Sequence, residues 1–223
     1  MSESDSFIDE VTEEVRRDRL YATFRKYGWI GAVAVLAIVG GAAWTEWQKS
    51  RAQAEAVAFG DAVMSAMATD DPAARLAALD GVSAEGAFGD TDGRVAVLGL
   101  LAADEALKAG DKDEAKARLA EIVAMPTLDP AYHDMAQLKW LAVAGDGVDA
   151  GERDRILADL TIPGRPYRVL ALERQALVLA SGGKTDEAIA ALKALLQDAD
   201  VPAGLRRRAT QLIVALGGTP DAA

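Results

Sequence analysis

Nineteen consecutive residues between Lys26 and Glu46, YGWIGAVAVLAIVGGAAWT, carry no charge. As a helix they span about 28 Å, close to the roughly 30 Å hydrocarbon thickness of a bilayer. Trp29 opens the run, Trp44 and Trp47 close it, and Tyr21, Phe24 and Tyr27 lie at its start. Aromatic rings at both ends form the interfacial belt of a membrane span. A water-exposed helix needs a polar stripe, and this one has none. A buried core helix and a cleaved export signal are the alternatives. Gly41, Ala42 and Ala43 offer small residues for cleavage. Yet 26 residues precede the run, carrying seven acids (Glu3, Asp5, Asp9, Glu10, Glu13, Glu14, Asp18) where a signal is short and basic. The expectation is a permanent transmembrane helix over residues 27–45.

Orientation follows the neighbouring cations rather than net charge. Arg16, Arg17, Arg19, Arg25 and Lys26 precede the run, whereas only Lys49 and Arg51 follow it closely. Residues 1–26 are therefore expected in the cytoplasm, as an amphipathic helix with Phe7, Ile8, Val11, Val15, Leu20 and Phe24 on its apolar face. Its acidic start and basic end suit the helix dipole, and the basic end can meet anionic headgroups. Residues from about 46 onward are expected across the membrane. Ala-, Arg- and Gly-rich composition points to a bacterial inner membrane, with the C-terminal domain in the periplasm.

Composition narrows the fold. The chain is 51% hydrophobic but 5% aromatic, so its apolar content is Ala, Leu and Val, which favours an all-α protein. No Cys is present, which removes disulfides and thiolate chemistry, and one His excludes zinc sites built on several. A net charge of −11 opposes nucleic-acid binding.

Residues 46–93 read as a helical stalk and connecting loop: the helix carries on with Phe59, Val63, Met64 and Met67 along one edge, Asp71-Pro72 starts a short helix to Leu79, and 81–93 is a Gly- and Asp-rich loop. Residues 94–218 hold an internal repeat. Ala103, Gly110, Ala115, Leu119, Ile122 and Val123 recur 73 residues later as Ala176, Gly183, Ala188, Leu192, Leu195 and Leu196. Asp113-Glu114 recurs as Asp186-Glu187. Each copy reads as a helix, a turn closed by Gly, and a second helix with acids in its first turn. Residues 129–160 supply a middle unit with an irregular turn at 145–151, Pro166 is expected to open the next helix, and Pro202 a capping helix to about Leu216. Residues 217–223 are a frayed tail. The pattern resembles the tetratricopeptide repeat, with its period of about 34 residues. Leu101 and Glu173, on first helices of pairs, are expected to be positions that face a partner.

Over residues 14–63, EVRRDRLYATFRKYGW, the Gly- and Ala-rich span, and AAWTEWQKSRAQAEAVAFGDAV after it resemble one family: the ancillary subunit of the bacterial Sec translocon. That resemblance implies a bitopic inner-membrane protein with a periplasmic tetratricopeptide-like domain. It also implies contact with the translocon and with exported polypeptides or periplasmic chaperones. The alternative is a structural accessory subunit of another inner-membrane complex, respiratory or envelope, with the specificity in the membrane helix and the segment before it.

No catalytic constellation is legible, and neither a cofactor nor a small-molecule substrate is expected. His133 and Asp134 are adjacent, so on a helix they point different ways. Asp70-Asp71 and Asp104-Glu105 read as caps and solvated faces. GDGVDAGERD and GDTDG lack the order of a calcium loop. Arg206-Arg207-Arg208 reads as a solvated face.

Overall fold

The computed structural model of the chain describes residues 3–220, and for residues 3–24 and 146 the backbone alone. The expected apolar face at Phe7, Ile8, Val11, Val15, Leu20 and Phe24 therefore lies outside the described side chains, and the tail end at 221–223 outside the described residues. The described residues form nine α-helices and no strand: α1 Glu3–Ala66, α2 Pro72–Asp80, α3 Thr91–Lys108, α4 Lys112–Val123, α5 Pro130–Ala144, α6 Ala150–Leu160, α7 Arg168–Ser181, α8 Thr185–Leu196 and α9 Ala203–Ala215. The protein is all-α, with a long apolar N-terminal helix and a stack of helix pairs. The chain forms two units, Met1–Val57 and Ala58–Ala223, divided within α1.

In the second unit, Asp residues set most helix starts. Asp71 accepts from the N–H groups of Ala73 and Ala74, Asp90 from Gly93, Asp111 from Glu114, Asp129 from Ala131 and Asp149 from Glu152. Each bond satisfies an N–H that the first helical turn leaves without a carbonyl. Glycine ends the first helix of each matched pair. Gly110 has φ +88°, and the N–H groups of Gly110 and Asp111 return to the carbonyls of Leu107 and Ala106. Gly183 has φ +78°, with Gly183 and Lys184 returning to Ala180 and Leu179. Both are Schellman closures, which need the left-handed backbone that glycine adopts without strain.

Three boundaries differ from the sequence reading. The loop after α2 ends at 90 rather than 93, because the Asp90 side chain caps Gly93 and draws Thr91 into α3. Pro166 lies in a turn, and α7 begins two residues later, after Tyr167. In the middle unit the irregular turn expected at 145–151 opens with a 3₁₀ turn at Gly145–Gly147, but α6 already starts at Ala150 because Asp149 caps it.

Successive helices from α2 to α9 pack on one another, and α3 also packs on α5. Three apolar clusters run along this stack. The first joins Ala96, Ala103 and Ala106 of α3 to Leu119 and Ile122 of α4 and Ala136 of α5. The second joins Leu141 of α5 to Ile156, Leu157 and Leu160 of α6 and Ala171 of α7. The third joins Ala176 of α7, Leu192 and Leu195 of α8, and Leu205, Ala209 and Ile213 of α9. Trp140 packs on both the first and the second. Alanine at the crossings lets the backbones approach, while the Leu and Ile side chains fill the layers between them.

Candidate functional site

The repeat framework lies inside the stack. Ala103, Ala115 and Ala188 are 0% exposed, and Leu119, Ala176 and Leu192 are 1% exposed. These positions position the helices and leave recognition to their outer faces. No added Cβ at Gly110 or Gly183 would meet a neighbour, so their role is the backbone turn.

A pocket of about 390 Å³ opens between α2, α3 and α4. Leu79, Ala102 and Ile122 form its buried base, each 2% exposed. Val82, Val95, Leu98 and Met125 line its apolar wall, and Asp80, Arg118 and Glu121 its polar edge. Gly99 lies within the lining, and a Cβ there would come within 2.9 Å of Ile122 Cδ1. Glycine at 99 thus allows α3 and α4 to close while leaving space beside the crossing. The sequence reading missed this site. Its one local sign is a glycine in the interior of a helix, where it costs about 1 kcal/mol relative to alanine.

Buried charge is the other departure. Glu105 is 1% exposed, and the Nε of Arg75 and the Nζ of Lys108 each donate to it at 2.6 Å. Burial pushes its carboxyl up, but the bonds and charges of Lys108 and Arg75 outweigh that and hold it below the usual carboxylate range. Asp104 pairs with Lys139 across to α5. Asp104-Glu105 is therefore an interhelical tie rather than a solvated face, because the helices on either side bring cations to it. Asp71 alone among these acids serves as a cap. Arg206, Arg207 and Arg208 are exposed, as the sequence suggests, but two of them are also engaged. Arg208 donates through two nitrogens to both oxygens of Glu173, at 3.1 and 2.9 Å, and Arg206 donates to the carbonyl of Leu196 at 2.7 Å. Glu173 is 8% exposed and so is not available to a partner; Leu101 is half-buried.

Asp134 is fully buried on α5. Arg165 Nη1 lies 3.3 Å from its Oδ1 and His133 Nδ1 3.6 Å, so the adjacent pair does meet through its side chains. Neither carboxylate oxygen has a hydrogen bond of good geometry, nor do Gln137 Oε1 and Arg165 Nε. Burial, the dominant effect, pushes the Asp134 carboxyl above its ordinary range; the Arg165 charge and the His133 contact oppose it, and Asp159 adds to it. Among the described residues no group of three His, Cys, Asp or Glu is placed to hold a metal ion.

Residues 25–66 of α1, which begin in the first unit and end in the second, are long and apolar enough to cross a membrane, with a mean hydropathy of 1.7 in the most apolar window and none of that window buried. A core helix would be covered by protein. Trp29, Trp44 and Trp47 are 64%, 59% and 44% exposed. Trp44 and Trp47 lie 5.2 Å apart in a tilted arrangement, the Arg51 guanidinium sits 5.6 Å over Trp47, and Lys26 sits 5.3 Å over Tyr27. Cations and aromatic rings thus meet at both ends of the run.

A family model described as tetratricopeptide repeat-like domain matches residues 21–214. No curated protein and no solved structure gives a match.

Proposed function

The chain belongs to the tetratricopeptide repeat-like domain family, and from that premise we propose that it is a protein-interaction scaffold tethered to a membrane through residues 27–45. In this reading residues 1–26 lie in the cytoplasm of a bacterial cell and the helical stack lies in the periplasm. The assembly it serves is the Sec translocon, as an ancillary subunit that meets exported polypeptides or their chaperones. It binds and releases polypeptide without turning over a substrate.

One observation carries the reading: an apolar run with no buried residue and a stack with an open apolar pocket occur in the same chain. A stack of helix pairs offers extended surfaces to partner chains. Affinity is expected to be weak, since few anchor residues are available and association carries a large entropy cost. Tethering beside the partner raises its effective concentration and compensates.

Photocrosslinkers at Leu101 and Val95 in living cells test the assignment. Adducts to the translocon channel or to exported chains are expected. Reproducible adducts only to subunits of an unrelated membrane complex would favour a structural subunit of that complex. A reporter fused after Ala223 should be active only outside the cytoplasm, and cytoplasmic activity would reverse the topology. A mature chain starting near Trp44 would establish a cleaved signal instead of an anchor.

A further inference from the structure

The pocket between α2, α3 and α4 is apolar at its base and acidic at its edge. Arg118 is already engaged: its side chain donates to Glu114 at 2.7 Å and to Asp80 at 3.1 Å. Glu121, one turn further along α4, is exposed and has no cation within ion-pairing distance among the described residues. The edge therefore presents one carboxylate that makes no ion pair among the described residues. Val95 adds a second sign of an unfilled surface, being 41% exposed in the wall of the same pocket. Met125 stands in that wall too, and its flexible thioether adapts to differently shaped side chains.

We infer that this pocket takes an aliphatic or aromatic side chain from an extended polypeptide segment, with a neighbouring Lys or Arg of that segment meeting Glu121. This deepens the proposed function and rests on it. The volume, about 390 Å³, is at the small end of the roughly 300–1,000 Å³ range of ligand pockets, which suits one anchor side chain rather than a whole helix. An apolar contact supplies the affinity, and the unpaired carboxylate selects the flank by charge complementarity. Adaptable walls and a single charge contact fit a binder that meets many sequences.

The test uses the full chain in lipid nanodiscs and three labelled nonapeptides, read by fluorescence anisotropy. Their centres are Leu-Lys, Leu-Glu and Ser-Lys in an otherwise Gly-Ser background. The Leu-Lys peptide is expected to bind roughly three- to tenfold more tightly than Leu-Glu, as an exposed ion pair and its reversal would give, with the ratio shrinking in high salt. Ser-Lys should show no saturable binding. Glu121→Lys should invert the Lys/Glu preference, and Val95→Asn should weaken both Leu peptides. Both residues are exposed, so an unchanged thermal melt is expected to accompany the change in binding.

Peptide binding that ignores both substitutions overturns the pocket assignment and leaves the scaffold reading intact. No saturable binding to the wild-type chain, with crosslinks from Leu101 to the translocon still formed, does the same. Loss of peptide binding and of those crosslinks together overturns both. Concentration-dependent self-association of the wild-type chain, abolished by Val95→Asn, would assign the pocket to a second copy and overturn the peptide as its occupant.

Discussion

Asp134 and Glu105 are both covered carboxylates, yet their surroundings drive them in opposite directions. Glu105 has two cations in hydrogen-bond contact, one of them Lys108, which remains 56% exposed and keeps the site near water. Asp134 has only off-geometry pairs, so desolvation prevails. Linkage then gives each a sign. Glu105, lowered in the folded state, contributes stability above its unfolded pKa and loses it as pH falls through the folded value. Asp134, raised in the folded state, contributes fully below its unfolded pKa, and that contribution is lost as pH rises through the folded value. Urea melts of the wild type and Asp134→Asn between pH 4 and 7 should therefore show the wild type gaining relative to the variant on acidification. The comparison belongs in a His133→Gln background, which removes the adjacent imidazole while Arg165 and Asp159 remain. A difference that does not change with pH would contradict the assignment. At Glu105 the contrast is direct: Glu105→Gln should cost stability at neutral pH, with the deficit narrowing in acid.

At the scale of single helices, the two matched pairs differ at one instructive position. Asp111 is both the residue after the Schellman glycine and the cap of α4, where it accepts from the N–H of Glu114 at 2.9 Å. Its counterpart 73 residues later is Lys184, which makes no side-chain cap bond to α8. Lys184 has φ −87° and ψ 58°, near the −92° and 89° of Asp111, so an Asp fits the backbone there. Lys184→Asp should raise stability by about 0.5–1 kcal/mol, the worth of one cap, less a small loss from its exposed pair with Glu187. Asp111→Ala should lower stability by about 1 kcal/mol. Thermal melts of the two variants check both signs, and equal, near-zero shifts would mean that neither cap contributes.

Across the whole molecule, helices packed mainly on chain neighbours make stability a nearest-neighbour property. Leu192, 1% exposed in the cluster that joins α7, α8 and α9, should therefore report on its own end of the stack. Leu192→Ala should cost about 2–5 kcal/mol through lost burial and the cavity left behind. Hydrogen exchange should quicken in α7, α8 and α9 well before it changes in α3 and α4. Uniform loss of protection along the stack would show a single cooperative unit instead. The ion pairs have the same architecture. Arg75–Glu105, Asp80–Arg118, Asp104–Lys139 and Glu173–Arg208 each join two helices, and Arg168 of α7 reaches Asp198 in the connection between α8 and α9; the partners lie 30 to 38 residues apart.

Local signals determined the helices of this chain. The uncharged run, the Asp caps, the turn glycines and the 73-residue offset are each written within a few neighbouring residues, so helix identity, repeat register and the apolar N-terminal helix were legible from sequence. Where two local signals competed, the boundary moved: Asp90 extended α3 toward the loop, and Pro166 was left in the turn before Tyr167. Pairing across the stack was not legible. Glu105 looks like a surface acid in its own helix, and it is buried because Arg75, 30 residues earlier, and Lys108 converge on it. The pocket likewise has no signature along the chain. It arises where Gly99 lets α3 approach Ile122 of α4, with Leu79 of α2 and Val82 of the α2–α3 connection lining the space beside them. Periodicity fixes which face of a helix turns inward; only the packing of one helix on the next fixes which charges meet and which apolar surface stays open.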